Sequence, residues 1–297
     1  MPPVATRKRC LDFSGDGMEA DLNTFISNLF QEAGIQSTQT KAGWCLREGM
    51  AHILAANESV IASVVKQEGA PRIYETKKCR HDEIQQYKPQ NCFQSLCRIV
   101  AGQQLAGSAA TAIWLRFVAT TKDNVTPIIV LQLAKIGLET HLQQPSGLSR
   151  AKARCIVALS EAFATGTLTE SFLTSSSEGK VRKALLGIKG IGPWSCDMFL
   201  MFYLERPDVF PIGDLAVRKG IAKLFSLRGK GSKGSLCPKK DLEVMERAMQ
   251  PYQPFRSIAT YYMWRIVDAK DVYDKNDTKK QKTKDAVVEP NVTKTPT

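Results

Sequence analysis

Among the residues able to do chemistry, Asp214 stands out by its position. It follows a loop marked by Arg206-Pro207 and Pro211, and it opens an expected helix running from Leu215 to Phe225. An aspartate there serves as an N-cap, which by itself is an ordinary structural task. The same carboxylate also sits at the positive end of the helix dipole and accepts backbone N–H groups. Placed beside a sugar whose N-glycosidic bond is breaking, it would stabilise the developing cation and orient an attacking water. Both readings hold together.

Upstream of that carboxylate runs Gly187-Ile188-Lys189-Gly190-Ile191-Gly192, between a short helix at Val181–Leu186 and a second at Pro193–Tyr203. Gly190 and Gly192 are expected to supply positive φ and let the backbone come very close to another molecule. Pro193 suits the first position of the second helix, where a missing N–H costs nothing. The free amides around Ile188, Gly190 and Gly192 then make an anion site. Ile188 and Ile191 tuck into the groove between the helices and hold the turn. This is the layout of a helix-hairpin-helix, which grips DNA phosphate without reading sequence. An ordinary αα-corner with glycine at its turn fits the Gly-x-Gly equally well.

Two further motifs carry unusual residues. From Phe93 the chain reads as an apolar helix with Leu96, Ile99 and Val100 in the core, until Gly102-Gln103-Gln104-Leu105 breaks the pattern with two amides. Alone, that is a solvated corner. Near the end, Tyr252 to Arg265 reads as a helix begun by Pro254, with Tyr261 and Trp264 on one face. Aromatics three apart usually pack, yet an indole face also attracts cations, by up to about 2 kcal/mol when water is excluded.

From about Phe93 to Ala269 these motifs together resemble the helix-hairpin-helix DNA glycosylases with a Gly/Pro-rich loop and a catalytic Asp. Within that superfamily the likeness is to the 3-methyladenine DNA glycosylases of the yeast and bacterial alkylpurine type. The resemblance implies that Asp214 is catalytic and that Ile188, Gly190 and Gly192 bind DNA phosphate. It implies that Trp194, Trp264 and Tyr261 line the base pocket. It also implies that the corner at Gln103 and Gln104 enters the minor groove, Gln104 filling the gap left by an extruded nucleotide. Bacterial relatives often carry an apolar wedge there, so Gln104 departs towards the yeast type.

Two residues after the second hairpin glycine, bifunctional glycosylase/lyases carry a lysine that forms a Schiff base. Trp194 stands there and cannot form one. A monofunctional hydrolase is therefore implied, one that excises alkylated purines (3-methyladenine, 7-methylguanine, with hypoxanthine as a further candidate) from duplex DNA and so starts base excision repair. Two rivals stay open: a non-catalytic helix-hairpin-helix protein that recognises damaged DNA, and a glycosylase for oxidised or mismatched bases.

Some members of the superfamily hold an iron–sulfur cluster on four closely spaced cysteines after the catalytic domain. Only Cys237 of the eight cysteines lies beyond Asp214, and no Cys-x-x-Cys occurs, so no cluster is expected. The three histidines form no ligand motif, and no metal site and no required cofactor are expected. The resemblance allows a monovalent ion on hairpin carbonyls.

Composition agrees with a polyanionic partner. The chain has 297 residues, 43% of them hydrophobic, enough for a full core, with a net charge of +12 and a pI near 9.3. Residues 226–240 contain Arg228, Lys230, Lys233, Lys239 and Lys240 and no acid. That stretch reads either as a mobile insertion adding phosphate contacts or as a solvated linker. No apolar run reaches the roughly 20 residues needed to cross a bilayer, and no membrane association is expected. The opening residues lack a secretory pattern.

Residues 1–20 and 270–297 are expected to be disordered around one glycosylase domain at 21–269, with the hairpin at 181–204. The run Lys279-Lys280-Gln281-Lys282-Thr283-Lys284 would serve as a nuclear import signal in a eukaryote or simply as solubilising charge. A monomer binding double-stranded DNA is expected. The fold class is all-α: two helical subdomains flanking an active-site cleft. Helices are expected at Leu22–Ala33, Arg47–Ala56, Ser59–Gln67, Phe93–Ala119, Val130–Ile136 and Ser149–Thr165, in addition to those above. For the N-terminal quarter, extra helices and partial strands both remain open.

Overall fold

The computed structural model describes residues 18–35, 38–56, 61–71, 73 and 89–268. The expected disordered ends, with their basic runs, lie outside the described residues apart from positions 18–20, which begin a helix. Every regular element described is helical, and the one β-pairing among the described residues is an isolated bridge between Gln39 and Cys45. The N-terminal quarter is accordingly helical: Met18–Ala33, Leu46–Ala56 and Ile61–Glu68.

The apolar residues collect into two cores. The first gathers Cys92–Gly102, Gly107–Thr120, Pro127–Gly137, Arg150–Ala164 and the two hairpin helices around buried Leu96, Val100, Phe117, Ile156, Leu185 and Phe199. The second joins the three N-terminal helices to Leu215–Leu224, Leu242–Met249 and Arg256–Asp268 around Ile26, Met50, Ile53, Val217, Ile221 and Tyr262. Tyr261 and Trp264 pack against both. The seam between the cores is where the candidate residues meet.

Several boundaries differ from expectation for identifiable reasons. The long Phe93 helix breaks at the glutamine corner into two, the second capped at Thr121 rather than running on from the first. The C-terminal helix starts at Arg256, not Pro254. Asp208 accepts from the Arg256 N–H (3.3 Å) and pairs with its guanidinium (2.7 and 2.8 Å), so the start is set by a partner far away in sequence. Leu138–Gln143, a π-helical stretch, and the short helix Glu170–Ser175 lie outside the expected helices, and the expected helix Pro193–Tyr203 is π-helical from Phe199 to Tyr203.

Two contacts place the helix that carries Asp214. A Cβ built on Gly220 would lie 2.3 Å from the Met263 carbonyl oxygen, so Leu215–Leu224 and Arg256–Asp268 touch backbone to backbone. The loop before Asp214 is clamped at Glu205, whose Oε2 accepts from Lys41 N–H (2.6 Å) and whose carbonyl accepts from Trp44 Nε1 (2.6 Å). The N-terminal quarter thus holds the approach to the site.

Overpacking of this kind costs about 1–3 kcal/mol or more. Gly220→Ala should accordingly lower the urea midpoint of unfolding by a cost of about that size, whereas Gly213→Ala, with open space around its Cβ position, should leave it nearly unchanged.

Candidate active site

Asp214 caps Leu215–Leu224, its Oδ1 accepting from Ala216 N–H (2.9 Å) and Val217 N–H (3.0 Å). Two indoles join it. Trp264 Nε1 donates to Oδ1 (3.1 Å) and Trp194 Nε1 donates to Oδ2 (2.8 Å). Oδ1 therefore accepts three N–H groups and Oδ2 one, which leaves Oδ2 as the oxygen with room for another contact. The carboxylate bridges the halves of the molecule, since Trp194 stands in the second hairpin helix and Trp264 in the C-terminal helix.

The aromatic walls follow from the same arrangement. One face of Trp264 is covered by Phe202, with ring centroids 5.5 Å apart and planes at 16°. Phe202 is 45% exposed, unusual for a phenylalanine in so apolar a stretch. The sequence reading missed it. Its facing depends on the π-helical stretch Phe199–Tyr203, which shifts the register that a 3.6-residue period would assign. Tyr261 lies half-buried at the seam, its ring edge-on to Tyr262 (5.2 Å, 83°), rather than bonded to Asp214.

The hairpin is tighter than expected in one respect and simpler in another. Only Gly190 has positive φ (+100°), while Gly192 is extended (φ −106°) and caps the second helix. A Cβ on Gly190 would lie 2.7 Å from Cys155 Cβ, so glycine is needed there for space as well as for conformation. The Ile188 amide is not free: it donates to Leu185 O (3.0 Å). The Gly190 and Gly192 amides make no hydrogen bond among the described residues, so they, without Ile188, are the available donors. Ile191 is buried and Ile188 half-buried, as a gripping turn requires.

The glutamine corner divides its labour. Gln104 is exposed with φ +57°, whereas Gln103 Nε2 donates to Gly190 O (3.0 Å) and Ser195 Oγ (2.9 Å). Only Gln104 is left to project, and Gln103 ties the corner to the hairpin. Lys152 Nζ donates to Ala101 O (2.9 Å) at the end of the preceding helix, and burial lowers its pKa. Lys152 and Cys155 share the helix Arg150–Ala164, which therefore supports the corner and the hairpin turn at once.

Asp197, one turn beyond Trp194, is buried and pairs with Arg182 of the first hairpin helix at 2.5 Å, while Arg182 Nε reaches Glu178 (2.8 Å). Burial pushes the Asp197 carboxyl up to about 6, with Arg182 pulling the other way. No group of three His, Cys, Asp or Glu able to hold a metal occurs among the described residues. The hairpin turn offers a cation only neutral backbone carbonyls, a donor set suited to a monovalent ion, and that of Gly190 already accepts from Gln103.

The stretch that carries the glutamine corner, the hairpin, Trp194 and Asp214 matches a family model over residues 97–252, more than half of the chain. The chain belongs to the HhH-GPD superfamily of base excision DNA repair proteins.

Among relatives, the Bacillus subtilis protein YfjP is 30% identical over 184 residues, and the matched stretch spans 61% of this chain and 60% of YfjP's length. DNA-3-methyladenine glycosylase 1 of Schizosaccharomyces pombe is 29% identical over 174 residues, 58% of this chain and 71% of that one. Among solved structures, the S. pombe 3-methyladenine DNA glycosylase in complex with abasic DNA is 25% identical with a TM-score of 0.59, covering 73% of this chain and 95% of that one.

Removing Arg182 leaves a buried, unpartnered Asp197, at a cost of roughly 3–5 kcal/mol. A carboxyl whose folded pKa is raised favours the folded state in its protonated form, and that contribution disappears as pH rises through about 6. Arg182→Met should therefore lower the melting temperature, and by more at pH 8 than at pH 5, as scanning calorimetry at the two pH values would show.

Proposed function

We propose that this protein is a monofunctional DNA glycosylase that releases 3-methyladenine and related alkylated purines such as 7-methylguanine from duplex DNA by hydrolysis, with the deaminated base hypoxanthine as a further candidate substrate. The observation that carries this reading is the Asp214 carboxylate, held by four N–H donors with Oδ2 still open, between aromatic rings and beside the hairpin.

In this reading the Gly190 and Gly192 amides hold a phosphate of the lesion strand, and Gln104 enters the stack as the damaged nucleotide turns out. A monovalent ion on the hairpin carbonyls would add positive charge towards that phosphate. The extruded base lies against Phe202, Trp264 and Trp194. An alkylated purine carries positive charge, which electron-rich faces attract. As the N-glycosidic bond breaks, its electron pair passes to the base and cancels that charge. The sugar becomes cationic opposite Oδ2 of Asp214. Water then adds to the anomeric carbon and releases a proton, leaving free base and an abasic site. The Trp194 and Trp264 N–H groups are positioning donors: they hold the carboxylate through the reaction so that little reorganisation is needed.

The rival reading as a non-catalytic damage binder has no use for a carboxylate so placed. A glycosylase/lyase for oxidised bases needs an amine where Trp194 stands.

Asp214→Asn retains an oxygen for the helix cap but turns an amide N–H₂ towards one of the two indole donors. It should fold and bind duplex DNA containing an abasic-site analogue within a few-fold of wild type, while single-turnover release of 3-methyladenine falls by at least about 100-fold. Wild-type turnover in the variant would reject the assignment.

A further inference from the structure

The loop between Leu227 and Lys240 is a built platform, neither an open linker nor a mobile tether. Gly229 N–H donates to Gly234 O (2.9 Å) and Gly231 N–H to Ser235 O (2.8 Å), closing a tight turn. A Cβ on Gly229 would lie 2.5 Å from Ser235 O and 2.6 Å from Asp241 Oδ2, so the two sides of the turn are packed against each other. At its centre is Asp241, the first acid after the basic stretch. It is buried, and its Oδ2 accepts from the amides of Lys230 (2.8 Å) and Cys237 (2.8 Å). The acid that ends the basic stretch is thus turned inward onto backbone. Arg228, Lys230, Lys239 and Lys240 are all exposed.

The loop also returns to the active site. It leaves the far end of the helix Leu215–Leu224 and folds back, so that buried Leu236 enters the second core and its carbonyl accepts from Arg218 Nη1. Arg218 lies one helical turn from Asp214, to whose carbonyl its own amide donates (3.1 Å). One turn plus one arginine side chain puts Leu236 within about 10–15 Å of Asp214, and Lys239 and Lys240 follow it by three and four residues in the chain. The hairpin grips from the first core, the loop stands on the second, and Asp214 lies between them.

We propose that this loop is a second phosphate-binding surface, holding the backbone of the duplex on the side of the cleft opposite the hairpin. Its partner is DNA phosphate read by charge alone, because fixed lysines and an arginine on a rigid turn match a repeating anion and carry no base-reading geometry. Two separated grips on either side of the carboxylate resist the recoil of a duplex bent around an extruded nucleotide. The inference rests on the glycosylase reading for its biological sense, but its test does not.

The test uses the full chain with Arg228→Gln, Lys230→Gln, Lys239→Gln and Lys240→Gln together, Asp241 being kept so that the turn stays closed; circular dichroism checks the fold. Binding to a duplex with a central abasic-site analogue is measured by anisotropy over a series of salt concentrations. For every phosphate that the protein no longer neutralises, the slope of log K against log salt shrinks by about 0.9. The expected result is a slope smaller by about 2–4, with affinity at least about tenfold weaker near 0.1 M salt and single-turnover base release at saturating protein unchanged. A slope and affinity equal to wild type would overturn the proposal, and would also leave an acidic protein partner as the better use of the loop. If wild type binds as expected but releases no base, the catalytic reading fails while the slope still decides on the loop.

Discussion

One carboxylate holds the functional half of this molecule together. Asp214 is capped by its own helix, bonded by an indole from the hairpin helix and bonded by another from the C-terminal helix. The hairpin helix belongs to the first core and the other two helices to the second, and charge-assisted hydrogen bonds are the stronger kind. The cleft geometry therefore depends on the same oxygens that would face a substrate. Stability and chemistry are coupled at this point, and the surrounding contacts serve to keep the three elements from separating: backbone touching backbone at Gly220, and the Glu205 clamp on Lys41 and Trp44.

The hairpin and the glutamine corner are coupled in a similar way. The helix Arg150–Ala164 puts Cys155 under Gly190 and Lys152 under the end of the helix that leads into the glutamine corner, while Gln103 bonds the hairpin carbonyl directly. Hairpin and corner are thus one rigid fixture rather than two loops. A protein that must hold a phosphate and fill a base stack at once needs that relative position fixed, because a small error in either place misplaces the sugar.

Much of this was legible in the sequence where the signal was local. Asp214 ahead of a helix, the Gly190 turn, Pro193 as a helix start and the three-residue spacing of Tyr261 and Trp264 all express short-range geometry. What the sequence left dark depends on distant partners. Phe202 lies exposed against Trp264 in a π-helical stretch, which shifts the register that a 3.6-residue period assigns. Gln103, taken with Gln104 as a wedge, proves to be bonded to a residue far along the chain. The expected free amide at Ile188 is spent on its own turn, and positive φ at Gly192 was not needed because that residue caps a helix in extended conformation. In the N-terminal quarter the three helices were legible but their packing was not, because it is fixed by remote pairs, such as Arg265 with Glu68 and the Tyr262 hydroxyl with the Gly69 carbonyl.

The most direct test of hydrolysis at this carboxylate is to incubate the wild-type protein with methylated duplex DNA, in the presence and absence of borohydride, and to analyse both base and strand. Hydrolysis by water predicts free 3-methyladenine, an abasic strand that stays unbroken until alkali is added, and no protein–DNA adduct. A borohydride-trapped adduct, or methylated DNA that keeps all its bases, would contradict it.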